Sequence, residues 1–141
     1  MSLRVLYLRA PNLATPLIRA RFWSEWSHCG IVTPDNTVIE ATAWHGVREV
    51  PLRDVLARAS RYEIVSIDCP YPTMGIAWAR SQIGKPYDWF GALGIGVNRN
   101  WQDEDRWFCS ELLEAAVLRA GRVRFREGVY RIDPQTSWAA I

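Results

Sequence analysis

The 141-residue chain is 49% hydrophobic and 23% charged, which suits a single globular domain over residues 1–141 and excludes a disordered segment. Its net charge of +2, with Lys85 the only lysine and the arginines scattered, excludes nucleic-acid binding driven by charge. Residues 3–8 are rich in β-branched, aromatic and leucine side chains and stop before Ala10-Pro11, which predicts a strand. Residues 12–25 are mixed, with a short helical turn expected over 16–22. Residues 27–33 and 37–42 predict two strands flanking Pro34-Asp35-Asn36, a strong turn signal. A third strand is expected at 46–52 after a turn at Trp44-His45-Gly46, followed by one or two helical turns over 52–59. Tyr62, Ile64 and Ser66 alternate with Glu63, Val65 and Ile67, so residues 61–68 predict another strand. The second half reads as helical. Residues 73–83 carry Met74, Ala77, Trp78 and Ile83 at helical spacing, with Gly84 as the C-cap. Residues 84–88 read as a loop, the glycine-rich 89–97 as a loosely packed helix and the polar 98–105 as a surface loop. Residues 108–120 predict a helix with an apolar stripe at Leu112, Leu113, Ala116, Val117 and Ala120, stopped by Gly121. The tail beyond Arg122 carries no readable pattern.

Cys29, Cys69 and Cys109 make an odd count without disulfide-framework spacing, which predicts free thiols. No CxxC pair or histidine cluster supports a zinc site, so no metal or organic cofactor is expected. The first nine residues show no apolar core of signal-peptide length, and no run approaches the ~20 apolar residues of a membrane span. A cytoplasmic protein is therefore expected, with export as a phage-type component the alternative.

The chemistry-bearing residues are His28, at the head of an apolar strand, and Cys109, at the head of a helix. A cysteine attacks as its thiolate. A helix N-terminus and a neighbouring imidazole both favour that charge. Glu40 lies in an apolar strand, where a carboxylate facing inward needs a partner. Whether it meets His28 depends on the hairpin. A two-residue turn would send the two side chains to opposite faces, whereas an odd-length loop at 34–36 sets Glu40 opposite Gly30, diagonal to His28 and on its face. The odd-length loop is the expectation, with Cys109 as nucleophile, His28 as base and then acid, and Glu40 as orienter. Cys29 points away from His28 and reads as packed core, and Cys69 as structural. Of the eight tryptophans, Trp23, Trp26, Trp44, Trp89, Trp101 and Trp107 could line a groove, although core packing is the commoner use of such residues.

Four segments carry a family resemblance: His28-Cys29-Gly30-Ile31-Val32, Val38-Ile39-Glu40-Ala41, Gly84-Lys85-Pro86-Tyr87-Asp88 and Phe108-Cys109-Ser110-Glu111-Leu112. In that order, with twelve residues between His28 and Glu40, the chain resembles the circularly permuted NlpC-type branch of papain-like cysteine peptidases, the YiiX-like proteins, over about residues 3 to 118. The resemblance implies an α+β permuted papain-like fold with an antiparallel β-sheet packed against helices. It implies catalytic roles for Cys109 and His28, an orienting role for Glu40, and a place for Tyr87 near the nucleophile, in contact with substrate. NlpC-type relatives cleave bacterial cell-wall stem peptides, and other permuted relatives, similar to lecithin-retinol acyltransferase, move or hydrolyse lipid acyl groups. The leading expectation is an amide hydrolase working through an acyl-enzyme on a cell-wall peptide. The alternatives are a lipid acyl hydrolase or acyltransferase and a non-catalytic binding module on the same fold.

Overall fold

The computed structural model describes residues 1–10, 25–87, 109–125 and 132–141. Five strands form one antiparallel sheet: β1 (Ser2–Arg9), β2 (His28–Val32), β3 (Thr37–Thr42), β4 (Gly46–Pro51) and β5 (Arg61–Asp68), in the order β4-β3-β2-β1-β5. The described helices are α1 (Leu52–Ala57), α2 (Pro72–Ser81), α3 (Cys109–Arg119) and α4 (Pro134–Ala139). The α+β architecture expected from sequence is thus the observed one. The segments expected over 16–22, 89–97 and 98–105 lie outside the described residues.

The continuous apolar run in β1 serves two cores at once. Leu3, Val5 and Tyr7 face one side of the sheet with Cys29, Ile31, Ile39, Ala41 and Ile67, under α2 and α3. Leu6 and Leu8 face the other side with Val32 and Val38, under Val55 of α1. A strand buried on both faces has no polar alternation to show, hence the unbroken hydrophobic stretch from Val5 to Leu8.

Ile31 pairs with Ile39 and Val32 with Val38, the register of a three-residue loop. Thr33 and Thr37 close it, the Thr33 N–H donating to the Thr37 carbonyl at 2.9 Å. Asn36 takes φ of 56°, the left-handed position that ends such loops and that asparagine tolerates. The odd-length loop expected from the sequence is the one found.

α3 is buried around its whole circumference from Cys109 to Val117, more than the stripe expected of it. It rests on β2 and β3 and is flanked by α2 and α4. Its end is a Schellman closure, with the Gly121 N–H bonded to the Leu118 carbonyl, the Arg122 N–H to the Val117 carbonyl, and Gly121 at φ of 87°. α2 departs from its expected stripe. Met74 and Ile83 are exposed, and the buried residues are Gly75, Ile76 and Ala79. Gly75 sets this face, because a Cβ there would lie 2.6 Å from the Ala116 carbonyl oxygen.

Candidate active site

β2 begins at His28 and α3 begins at Cys109, so the imidazole and the thiol both sit where an element enters the core. Continuing the β2–β3 register places Glu40 opposite Gly30. That position is tight: a Cβ on Gly30 would lie 2.6 Å from Val38 Cγ1 and 3.0 Å from the Ile39 carbonyl oxygen. The bare glycine lets the Glu40 side chain lean toward His28. Its Oε2 lies 2.8 Å from His28 Nε2.

With Nε2 turned to Glu40, Nδ1 is the ring nitrogen left for the thiol. Cys109, 3% exposed, lies close enough to His28 for each to shift the proton affinity of the other. Burial opposes charging the imidazole, but bonds to Cys109 and Glu40 outweigh it and lift the His28 pKa to about 9. Burial also opposes the Glu40 charge. Its bond to His28 and the neighbouring Arg58 prevail and hold the carboxyl at about 2.

Three neighbours lie beyond the expected triad. Cys29 is in the main core, as expected, but its thiol also acts on Cys109. The neighbouring Cys29 is the strongest influence lowering the Cys109 pKa; burial works against it, and His28 adds to it. Burial first, and then the neighbouring Cys109, push the Cys29 thiol up, so Cys29 keeps its proton. Strand alternation places Cys29 on the opposite face from His28, and α3 packs on that face. Arg48 is the second neighbour, bonding Glu40 Oε1 through Nε at 3.1 Å. A three-residue β3–β4 loop over 43–45 pairs Glu40 with Arg48, a register that follows from the expected strand bounds 37–42 and 46–52, one residue earlier than the turn expected at Trp44-His45-Gly46. Arg58, the third, caps the C-terminus of α1 and bonds Glu40 Oε2. No sequence signal joins it to Glu40.

Tyr87 packs half-buried against the core cluster that contains Cys109. Cys69 is buried and free, and His45 is exposed. Trp26 is core, 1% exposed, with tilted ring contacts to Tyr7 at 6.4 Å and Trp138 at 6.0 Å, so it lines no groove. Trp44 is 83% exposed. Trp23, Trp89, Trp101 and Trp107 lie outside the described residues. Among the described residues no group of three or more His, Cys, Asp or Glu side chains is arranged to hold a metal ion, and no helix is long and apolar enough to cross a membrane.

An antiparallel sheet that supplies histidine and glutamate ahead of a cysteine-headed helix defines a papain-like cysteine hydrolase fold in permuted order. Residues 5–132 match the family described as the permuted papain-like amidase enzymes, YaeF/YiiX, C92 family, and the chain belongs to that family. Among solved structures the chain is similar to that of the metalloprotein yiiX from Escherichia coli O157:H7, with a TM-score of 0.62 and 21% identity. The match covers 85% of this chain and 66% of that one, so this chain spans just under two thirds of its neighbour's length. No curated protein matches the sequence.

Proposed function

We propose that Cys109, His28 and Glu40 are the catalytic triad of an amide hydrolase, and that a bacterial cell-wall stem peptide is its substrate. The observation that carries this reading is the 2.8 Å bond from His28 Nε2 to a fully buried Glu40, with Cys109 near enough to raise the proton affinity of the same ring. The Cys109 thiolate attacks the amide carbonyl, and backbone N–H groups at the start of α3 are placed to receive the oxyanion. As the C–N bond breaks, His28 gives its proton to the leaving amine. It then takes a proton from the water that attacks the thioester, which releases the acid and returns the thiol. Tyr87 is assigned to substrate contact near the nucleophile. The YiiX protein of the solved structure is described as a metalloprotein. The donor set described for this chain does not fit a metal ion, and the hydrolysis needs none.

Acyl esters are the second reading, favoured by Trp44, which stands exposed in the β3–β4 turn at the His28 end of the sheet. Relative turnover of stem peptides and long-chain acyl esters separates the two substrates.

The thiol itself is tested by iodoacetamide alkylation across pH, followed by intact mass, in the native chain and in His28→Ala. Rapid single-site labelling of Cys109 at neutral pH that collapses in the variant is expected. Slow labelling indifferent to His28 would overturn the triad and leave a binding module on the same fold.

A further inference from the structure

The glutamate that holds His28 is itself held from two other elements. Glu40 has no exposed surface, and both its carboxylate oxygens are engaged. Oε1 accepts from Arg48 Nε at 3.1 Å and lies 3.0 Å from Arg48 Nη2, a two-pronged grip from β4. Oε2 accepts from His28 and from Arg58 Nη2 at the end of α1. Arg58 Nε is buried and has no hydrogen-bond partner among the described residues, so the bond to Glu40 anchors that guanidinium. A carboxylate serving only to orient an imidazole needs one charge partner. This one has two permanently charged ones besides.

The difference lies in the local charge. Glu40 alone would present −1 to His28 and hold the imidazolium tightly. Glu40 with Arg48 and Arg58 presents +1. The anion that balances the imidazolium is then the Cys109 thiolate. Of the described groups bonded or paired with His28 or Glu40, the charged and titratable ones are Arg48 from β4, Arg58 from α1 and Cys109 from α3. Cys29, beside His28 on β2, keeps its proton, and β1 offers Leu8 opposite His28 and Leu6 opposite Gly30.

We propose that Arg48 and Arg58 are positioning residues that make His28 release its proton once Cys109 is acylated. The inference rests on the triad reading above. Acylation turns the thiolate into a neutral thioester, which removes one of the two anions that favour the imidazolium and leaves Glu40, whose charge is shared with Arg48 and Arg58. The two guanidiniums then push the proton toward the leaving amine and leave His28 neutral, the form in which it can take a proton from the attacking water. Free enzyme and acyl-enzyme thus hold opposite protonation states of one histidine, and the arginines set that difference.

The test follows the His28 imidazole by NMR across pH in His45→Gln, which leaves a single histidine to observe. It is run with Cys109 free and with Cys109 carbamidomethylated, an uncharged stand-in for the acyl-enzyme. Alkylation is expected to lower the proton affinity of His28 at least roughly tenfold, the scale of losing one close opposite charge. Arg58→Gln and Arg48→Gln, in the alkylated protein, are expected to restore roughly tenfold of it each, and Arg58→Lys to leave it low. Titrations in both glutamine variants that coincide with the parent's would overturn the proposal, as would Arg58→Lys behaving like Arg58→Gln. If one glutamine variant does not fold, the other and the lysine variant still decide. Failure of the triad itself looks different: alkylation would leave the parent's His28 titration where it was.

Discussion

A carboxylate without exposed surface enters a protein only when its charge is answered, and Glu40 is answered three times, by His28, Arg48 and Arg58. Its folded pKa of about 2 lies below the ordinary 4.5. The ionised form therefore stabilises the fold above about pH 4.5, and that stability is lost as pH falls toward 2. A shift of this size corresponds to something on the order of 3 kcal/mol. Urea melts of the native chain are expected to show unfolding free energy dropping across that window, and Glu40→Gln to show a flatter dependence from a lower starting value. Parallel curves would mean that Glu40 contributes no linkage. The His28–Glu40 contact is legible in the sequence because side chains alternate along strands and, of the turn lengths that Pro34-Asp35-Asn36 allows, the odd one lets the two residues meet. Arg48 is within reach of the same reasoning applied to the next turn. Arg58 is not, because where a helix end lies over a sheet depends on packing that no local pattern records.

The helices position what the hairpin prepares. α2 approaches α3 so closely that Gly75 has no room for a side chain, its hypothetical Cβ falling 3.0 Å from Ala120 Cβ as well as against the Ala116 carbonyl. Gly75→Ala is expected to destabilise the protein by about 1–3 kcal/mol through overpacking. The denaturation midpoint should fall at unchanged slope, and Cys109 alkylation should slow because α3 carries the thiol. An unchanged midpoint would show that the interface adjusts at no cost. Helical spacing locates α2 correctly but misjudges its buried side. Large apolar residues point to Met74 and Ile83, while the contact belongs to small ones that let two backbones come together. α3 misleads in the opposite sense. Its apolar stripe leaves Glu111 and Glu114 aside, and both are buried.

Across the whole molecule, the described residues beyond Arg122 are tied by polar groups to α3 and to β1. Glu114 of α3 accepts from Arg124 at 3.0 Å and from Ser137 of α4, whose hydroxyl also bonds Tyr7 of β1 at 2.7 Å. Asp133 caps α4 by accepting from the Thr136 N–H at 2.9 Å. A six-residue helix held this way has no apolar periodicity, and so leaves no pattern along the chain to read. Arg124 and Glu114 are 4% and 2% exposed, so Arg124→Met strands a buried carboxylate, and a loss on the order of 3–5 kcal/mol is expected. Adding Glu114→Gln should recover part of it in thermal unfolding. A loss in the double variant equal to the sum of the two single losses would show that the two side chains act independently.

The strand order has a consequence for the chain as it is made. Every described strand of the sheet lies before residue 69, whereas the proposed nucleophile arrives only at residue 109. Synthesis runs from the N-terminus, and segments fold as they emerge. A ribosome-bound chain can therefore assemble the sheet, with its histidine and glutamate already matched, some forty residues before any reactive sulfur on α3 exists. The permuted order makes the thiol the last of the three proposed triad residues to be made, so a chain stopped before residue 109 carries the histidine–glutamate pair without its sulfur.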